Sequence, residues 1–189
     1  MLGFRVKSGW AAAILLTGPV RLPRLCDIRL IDVCDPKIPA TLQPYHAAMG
    51  MLETNRAELK LRLQIVRRAT KQSVAKIVFD HRRHGHKIHR AGFVVGSQID
   101  AALIANPHIR AHALEGQLFR IALADALRAH QIQWVVLSER EALAKTAALL
   151  KKSTAELQSI VNEMRRTAQG PWRAEQKLAT IAAWFALAS

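Results

Sequence analysis

Residues 1–16 read MLGFRVKSGWAAAILL, one long apolar stretch broken in the middle by Lys7, Ser8 and Gly9. The break divides the run into two strands, 2–7 and 10–16. Ser8-Gly9 is a two-residue hairpin turn in which glycine supplies the positive φ. Gly18-Pro19 marks the next turn. From Leu25 the chain alternates, with Cys26, Ile28 and Leu30 on one side and Asp27 and Arg29 on the other. That alternation predicts a half-exposed third strand reaching about residue 33. Asp35-Pro36 and Pro39 end it, and a loop containing Pro44-Tyr45-His46 follows.

A long helix is expected over 53–84. Leu59, Leu63, Val66, Val74, Ile77 and Val78 keep helical spacing, and lysines and arginines fill the other side. Gly85 suits its C-terminal cap. AGFVVGS (91–97) is a continuous apolar run bounded by glycines, the pattern of a buried strand. Asn106-Pro107 opens a second helix, with asparagine at the cap and proline at the first helical position. IQWVVLS (132–138) gives one more strand. Ser138 with Glu141 and Ser153 with Glu156 are capping-box signatures that open two further helices. Gly170-Pro171 precedes a last amphipathic helix, 172–187, whose Leu178, Ile181 and Phe185 are expected to face the core.

At 189 residues the chain is one domain, long enough to bury a core without disulfides or metals. Its balance of charge is unusual: 28 Lys and Arg against 14 Asp and Glu, a formal +14. Residues 56–90 concentrate the excess, with eleven basic side chains against Glu58 and Asp80. Such a surplus favours polyanionic partners such as nucleic acid, or a negatively charged membrane face. Cys26 and Cys34, on one strand, would lie roughly 26 Å apart at strand rise, beyond disulfide reach. Both are expected to be buried and reduced. Arg5 and Lys7 precede only seven apolar residues, and no small-residue cleavage pattern follows, so no signal peptide is read. The longest uncharged run, 8–20, is too short to span a bilayer. A cytoplasmic protein without a membrane partner is expected; the sequence leaves the oligomeric state open.

The order of elements is three strands, helix, strand, helix, strand, then helices. It resembles the ribonuclease H-like fold, nearest in element order to bacterial Holliday-junction resolvases, over nearly the whole chain. The resemblance implies a mixed sheet (βββαβαβ, then helices) with helices packed on it, as a single α/β domain over 1–189. Enzymes of that fold place acids on the first strand, at the end of the central strand and on the last helix, where they hold two divalent metals. Here the first position falls at Lys7 and Ser8 and the second at Gly96 and Ser97. Only the third, Glu175, is acidic. One acid of three cannot hold a metal pair, and Lys7 repels cations. Asp100, just past the central strand, is a weak substitute. The resemblance thus implies the fold with a degenerate active site. Arg173 and Lys177 are expected to approach Lys7 and, with Ser8 and Ser97, to form a basic, phosphate-binding pocket.

A second group lies in NPHIRAHALEGQLF (106–119). His108, His112 and Glu115 share one helix face at i, i+4 and i+7. Imidazoles with a carboxylate offer acid–base catalysis beside a bound phosphate, with Glu175 as a further acid, or one divalent metal on His108, His112 and Glu115. The plainer reading has Glu115 paired with a neighbouring arginine or capping a backbone group, the histidines partly exposed, and no cofactor. HRRHGHKIHR (81–90) holds four of the eight histidines and is expected to be a solvated turn. Three functional classes remain: a nucleic-acid or phosphate-ligand binder, a hydrolase using Glu115 with His108 or His112, and a protein-interaction module.

Overall fold

The structure, a computed structural model, describes residues 1–47, 50–96 and 98–189. Five strands, β1 (Leu2–Val6), β2 (Trp10–Thr17), β3 (Arg24–Asp32), β4 (Arg90–Val95) and β5 (Gln133–Ser138), form one sheet in the order β3-β2-β1-β4-β5. β1–β2 and β2–β3 are antiparallel, whereas β1–β4 and β4–β5 are parallel. The first turn is as expected: Lys7 N–H donates to the Trp10 carbonyl at 2.9 Å, and Gly9 has φ +81°. Five helices follow in the expected order, α1 (Arg56–Arg83), α2 (Pro107–Ala129), α3 (Glu139–Leu149), α4 (Thr154–Glu163) and α5 (Ala174–Ala188).

Alternation along the strands divides the core in two. On one side Leu2, Phe4, Ala13, Leu15 and Phe93 pack against Val66, Val74, Ile77 and Val78 of α1 and Leu118, Phe119 and Leu123 of α2. On the other, Ala12, Ile14, Leu16 and Val94 meet α3, α4 and α5. The last helix buries Ile181 as expected, but its inward face is broader and centred on small residues. Ala179, Ala182, Ala183 and the fully buried Trp184 face the sheet, while Leu178 and Phe185 are only partly buried. The reason lies in Gly3 and Gly92, paired neighbours on β1 and β4. A Cβ at Gly3 would stand 2.0 Å from the Ala179 carbonyl oxygen, and one at Gly92 2.1 Å from that of Ala182. Two glycines opposite a row of alanines bring helix backbone onto sheet backbone, which bulkier residues would hold apart.

Three other expectations change. α1 begins at Arg56 because Asn55 caps it, accepting from the Ala57 and Glu58 N–H groups. Cys26 is exposed; only Cys34 is buried, and both are free. Asp27 and Arg29 are half-buried, because their side of β3 faces α1. Arg29 bridges Asp27 and Asp80, each at 2.5 Å, and His81 Nε2 lies 3.3 Å from Asp27. The 81–90 segment is therefore not a wholly solvated turn, since His81 is buried.

This network predicts acid sensitivity. Burial pulls the His81 imidazole below its ordinary 6.5 despite the pull of Asp27. The hydrogen bond from Arg29 holds the Asp80 carboxyl below 3.8. A depressed histidine protonates first in the unfolded chain, so its contribution is present above about pH 6.5 and is lost as pH falls through the folded value. The Asp80 contribution is present above its unfolded value and is lost at still lower pH. Thermal melts between pH 8 and pH 3 are expected to show Tm falling in two stages. His81→Gln should shrink the upper stage, leaving the part due to His130, and leave the lower stage unchanged.

Candidate functional site

At the carboxyl ends of β1 and β4, a cleft opens against the side of α2. Arg5, Lys7 and Ser8 line it from β1 and its turn, Gly96 from the end of β4, and His112 and Gly116 from α2. Arg5 is buried. It donates to the Val6 carbonyl at 2.8 Å and forms an ion pair with Glu139 at the start of α3, so its charge is largely spent on structure. Lys7 is exposed, and among the described residues no carboxylate lies within ion-pair distance of it. No carboxylate is found among the described lining residues.

The remaining candidates from this region fall elsewhere. Arg173 precedes α5 and is exposed; Glu175 and Lys177, in its first turn, are half-buried. None of the three is among the residues that line the cleft. Asp100 is used locally, its carboxylate accepting from the Ala102 N–H at 2.9 Å. Ser97 lies outside the described residues.

Against α2 the cleft adjoins a histidine cluster. His108 and His112 stand one turn apart at the start of α2, as their spacing predicts, with Glu115 below them and fully buried. A third ring, His46, arrives from the loop after β3. His46 Nδ1 lies 2.8 Å from Glu115 Oε1, and His46 Nε2 lies 3.2 Å from His108 Nδ1. His112 Nε2 lies 3.3 Å from His108 Nε2, while its Nδ1 stands 3.4 Å from Glu115 Oε2. Glu115 therefore does not pair with an arginine. Its carboxylate lies behind two imidazoles and does not stand beside them as an equal member of the cluster.

The loop that delivers His46 is tied down. Arg62 of α1 donates to the Pro44 and His46 carbonyls at 3.3 and 3.1 Å and pairs with Glu53 at 3.0 Å. Sequence reading missed His46 because 62 residues separate it from His108; Pro44-Tyr45-His46 carries no spacing signal. Arg5 was missed because it lies within a run that otherwise reads as buried strand.

Along α1, Lys60, Arg67 and Lys71 are exposed on one face at i, i+7 and i+11. Desolvation pushes the half-buried Tyr45 phenol up; Arg67 opposes the shift and Glu115 adds to it. At the far end of the two helices, burial chiefly, then Arg82 and Lys71, hold the His130 imidazole below its ordinary value. The basic stripe thus follows the α1–α2 side of the molecule, where the histidine cluster also lies.

Among the described residues no helix is long and apolar enough to cross a membrane. No family model matches the chain, and no curated protein matches it. Solved structures do. RuvC from Thermus thermophilus, in complex with a Holliday junction substrate, superposes with a TM-score of 0.55 at 12% identity, covering 97% of this chain and 89% of that one. A second Thermus thermophilus RuvC structure gives a TM-score of 0.53, again at 12% identity, covering 97% and 90%. With the strand order, the parallel β1–β4–β5 half and the antiparallel β1–β2–β3 half, this likeness establishes that the chain has the ribonuclease H-like α/β fold.

Proposed function

We propose that the protein binds nucleic acid, or another phosphorylated ligand, through the basic side of this fold, and that it does so without the two-metal nuclease centre of the enzymes it resembles. The observation that carries the reading is Lys7: an exposed, unpaired ammonium at the end of β1, in a cleft with no carboxylate among its described lining residues. A two-metal centre needs several converging carboxylates to offset the charge of the ions. Lys7 opposes that, and Glu175 is not in the cleft to help. A phosphate meets the opposite situation: a free ammonium, the Ser8 hydroxyl and the basic stripe of α1 nearby. The described neighbour bound to a Holliday junction supports four-way DNA as the first ligand to try.

The test is fluorescence anisotropy with a labelled four-way junction, a duplex and a single strand, titrated across salt concentrations. The expected result is tight binding at low ionic strength, with log K falling linearly in log salt at about −0.9 per phosphate neutralised on duplex. Junction DNA incubated with magnesium or manganese is expected to remain uncut. Binding that is absent or indifferent to salt defeats the first part of the proposal, and specific incision defeats the second.

A further inference from the structure

The histidine cluster brings three imidazoles together over a buried carboxylate. A neutral imidazole carries one N–H and one bare lone pair. His46 Nδ1 faces a carboxylate oxygen at 2.8 Å, so that nitrogen carries the hydrogen and Nε2 is bare. His112 Nδ1 lies 3.4 Å from Glu115 Oε2 without forming a hydrogen bond to it, so this contact does not fix the His112 tautomer. His108 Nδ1 lies 3.2 Å from the Gly50 carbonyl oxygen, which can only accept, so its hydrogen also sits on Nδ1. The bare Nε2 of His108 faces His112 Nε2 at 3.3 Å. Behind them Glu115 Oε2 is fully buried without a hydrogen-bond partner among the described residues, and none of their lysines or arginines pairs with that carboxylate. A buried carboxylate without a basic side chain, beside three imidazoles that each offer a ligand nitrogen, favours a cation.

We propose that His46, His108 and His112 bind one zinc-class divalent cation through one ring nitrogen each, with Glu115 as the outer carboxylate beside His46 and His112. Each ring offers a ligand atom, and these three atoms lie within 4.8 Å of one another. Zinc–nitrogen bonds of about 2.0–2.1 Å in a tetrahedron set the nitrogens about 3.3 Å apart, and the His108–His112 separation already has that value. Imidazole-only ligation selects zinc, cobalt, nickel or copper over magnesium or calcium. The ligand set differs from the one read in the sequence: His46 replaces Glu115, whose two oxygens are turned to ring Nδ1 atoms and belong to the outer shell.

The surroundings are built for this arrangement. Gly50, at φ +73°, brings its carbonyl to His108; a Cβ there would stand 3.2 Å from the ring nitrogen. Arg62 fixes the loop that carries His46. Glu115 is buried and His46 half-buried, whereas His108 and His112 are exposed and His112 lines the cleft beside Lys7. Three protein ligands leave a fourth position for exchangeable water, as in zinc sites that do chemistry and unlike closed structural ones. The proposal does not depend on nucleic-acid binding.

The experiment uses untagged protein, stripped with chelator and titrated with zinc by calorimetry, then with cobalt to follow the visible spectrum. One zinc per chain is expected, together with a four-coordinate cobalt band and a Tm that rises with added zinc. His108→Ala alters only an exposed first-turn residue and is expected to abolish the cobalt band with the fold intact by circular dichroism. His46→Ala should do the same. Glu115→Gln should keep the stoichiometry and weaken zinc by about 10–100-fold. His84→Ala with His86→Ala should leave binding unchanged, which separates this site from the other histidine-rich segment. Substoichiometric zinc in the native chain, or equal zinc binding by folded His108→Ala and native protein, overturns the proposal.

Discussion

Gly92→Ala is expected to cost about 3 kcal/mol or more of folding stability, measured by urea denaturation, and Gly3→Ala a similar amount. One methyl group ordinarily overpacks a core by about 1–3 kcal/mol, because a side chain swings aside. Here no side chain can yield. The new Cβ at position 92 would lie 2.1 Å from the Ala182 carbonyl oxygen, and the one at position 3 would lie 2.0 Å from that of Ala179 and 2.5 Å from the Ala183 nitrogen. Either substitution must lift α5 from the sheet and with it Trp184, whose Nε1 donates to the Val20 carbonyl at 2.8 Å. Small domains have only about 5–15 kcal/mol of stability in total, so part of the population should unfold. Gly116→Ala provides the control: nothing lies within 4 Å of its Cβ position and it sits inside α2. There the same methyl group should stabilise by about 0.5–1 kcal/mol. Equal effects at positions 92 and 116 would refute the close helix–sheet contact.

The contrast shows what a sequence makes legible. Element order was readable because each boundary carries its own local chemistry: Ser8-Gly9 turns, Asn106-Pro107 caps, Ser153 accepts from the Glu156 N–H at 3.1 Å. The inward face of α5 was not, because large apolar residues draw attention while its packing depends on alanines facing glycines on two distant strands. The candidate site divides in the same way. His108, His112 and Glu115 were grouped from their spacing alone, since a helix fixes which residues share a face. His46 and Gly50 come from a loop, whose path no periodicity encodes. Lys7 was located because the hairpin turn locates it. Arg173 and Lys177 were assigned to the same pocket by analogy with the fold, and the described cleft does not include them.

Reversing charge along α1 is expected to have the largest effect on ligand binding. Lys60, Arg67 and Lys71 are exposed within about 40° of one another at 100° per residue, so an extended phosphate backbone can meet all three. Changing the three to glutamate should lower affinity for duplex or junction DNA on the order of 100-fold at low salt, and flatten the salt slope by about one unit per lost contact. Net charge alone predicts the same loss wherever the charges are reversed. Lys151, Arg165 and Arg166 supply that comparison: they are exposed, belong to the α3–α4 side of the sheet, and carry the same formal charge. If binding follows the stripe, reversing these three should weaken affinity only a few-fold and leave the salt slope nearly unchanged. Equal losses from both sets would mean that the +14 excess acts as a diffuse field and that α1 is no binding face. No loss from either would remove the electrostatic basis for nucleic-acid binding altogether, leaving the histidine cluster as the feature around which function must be sought.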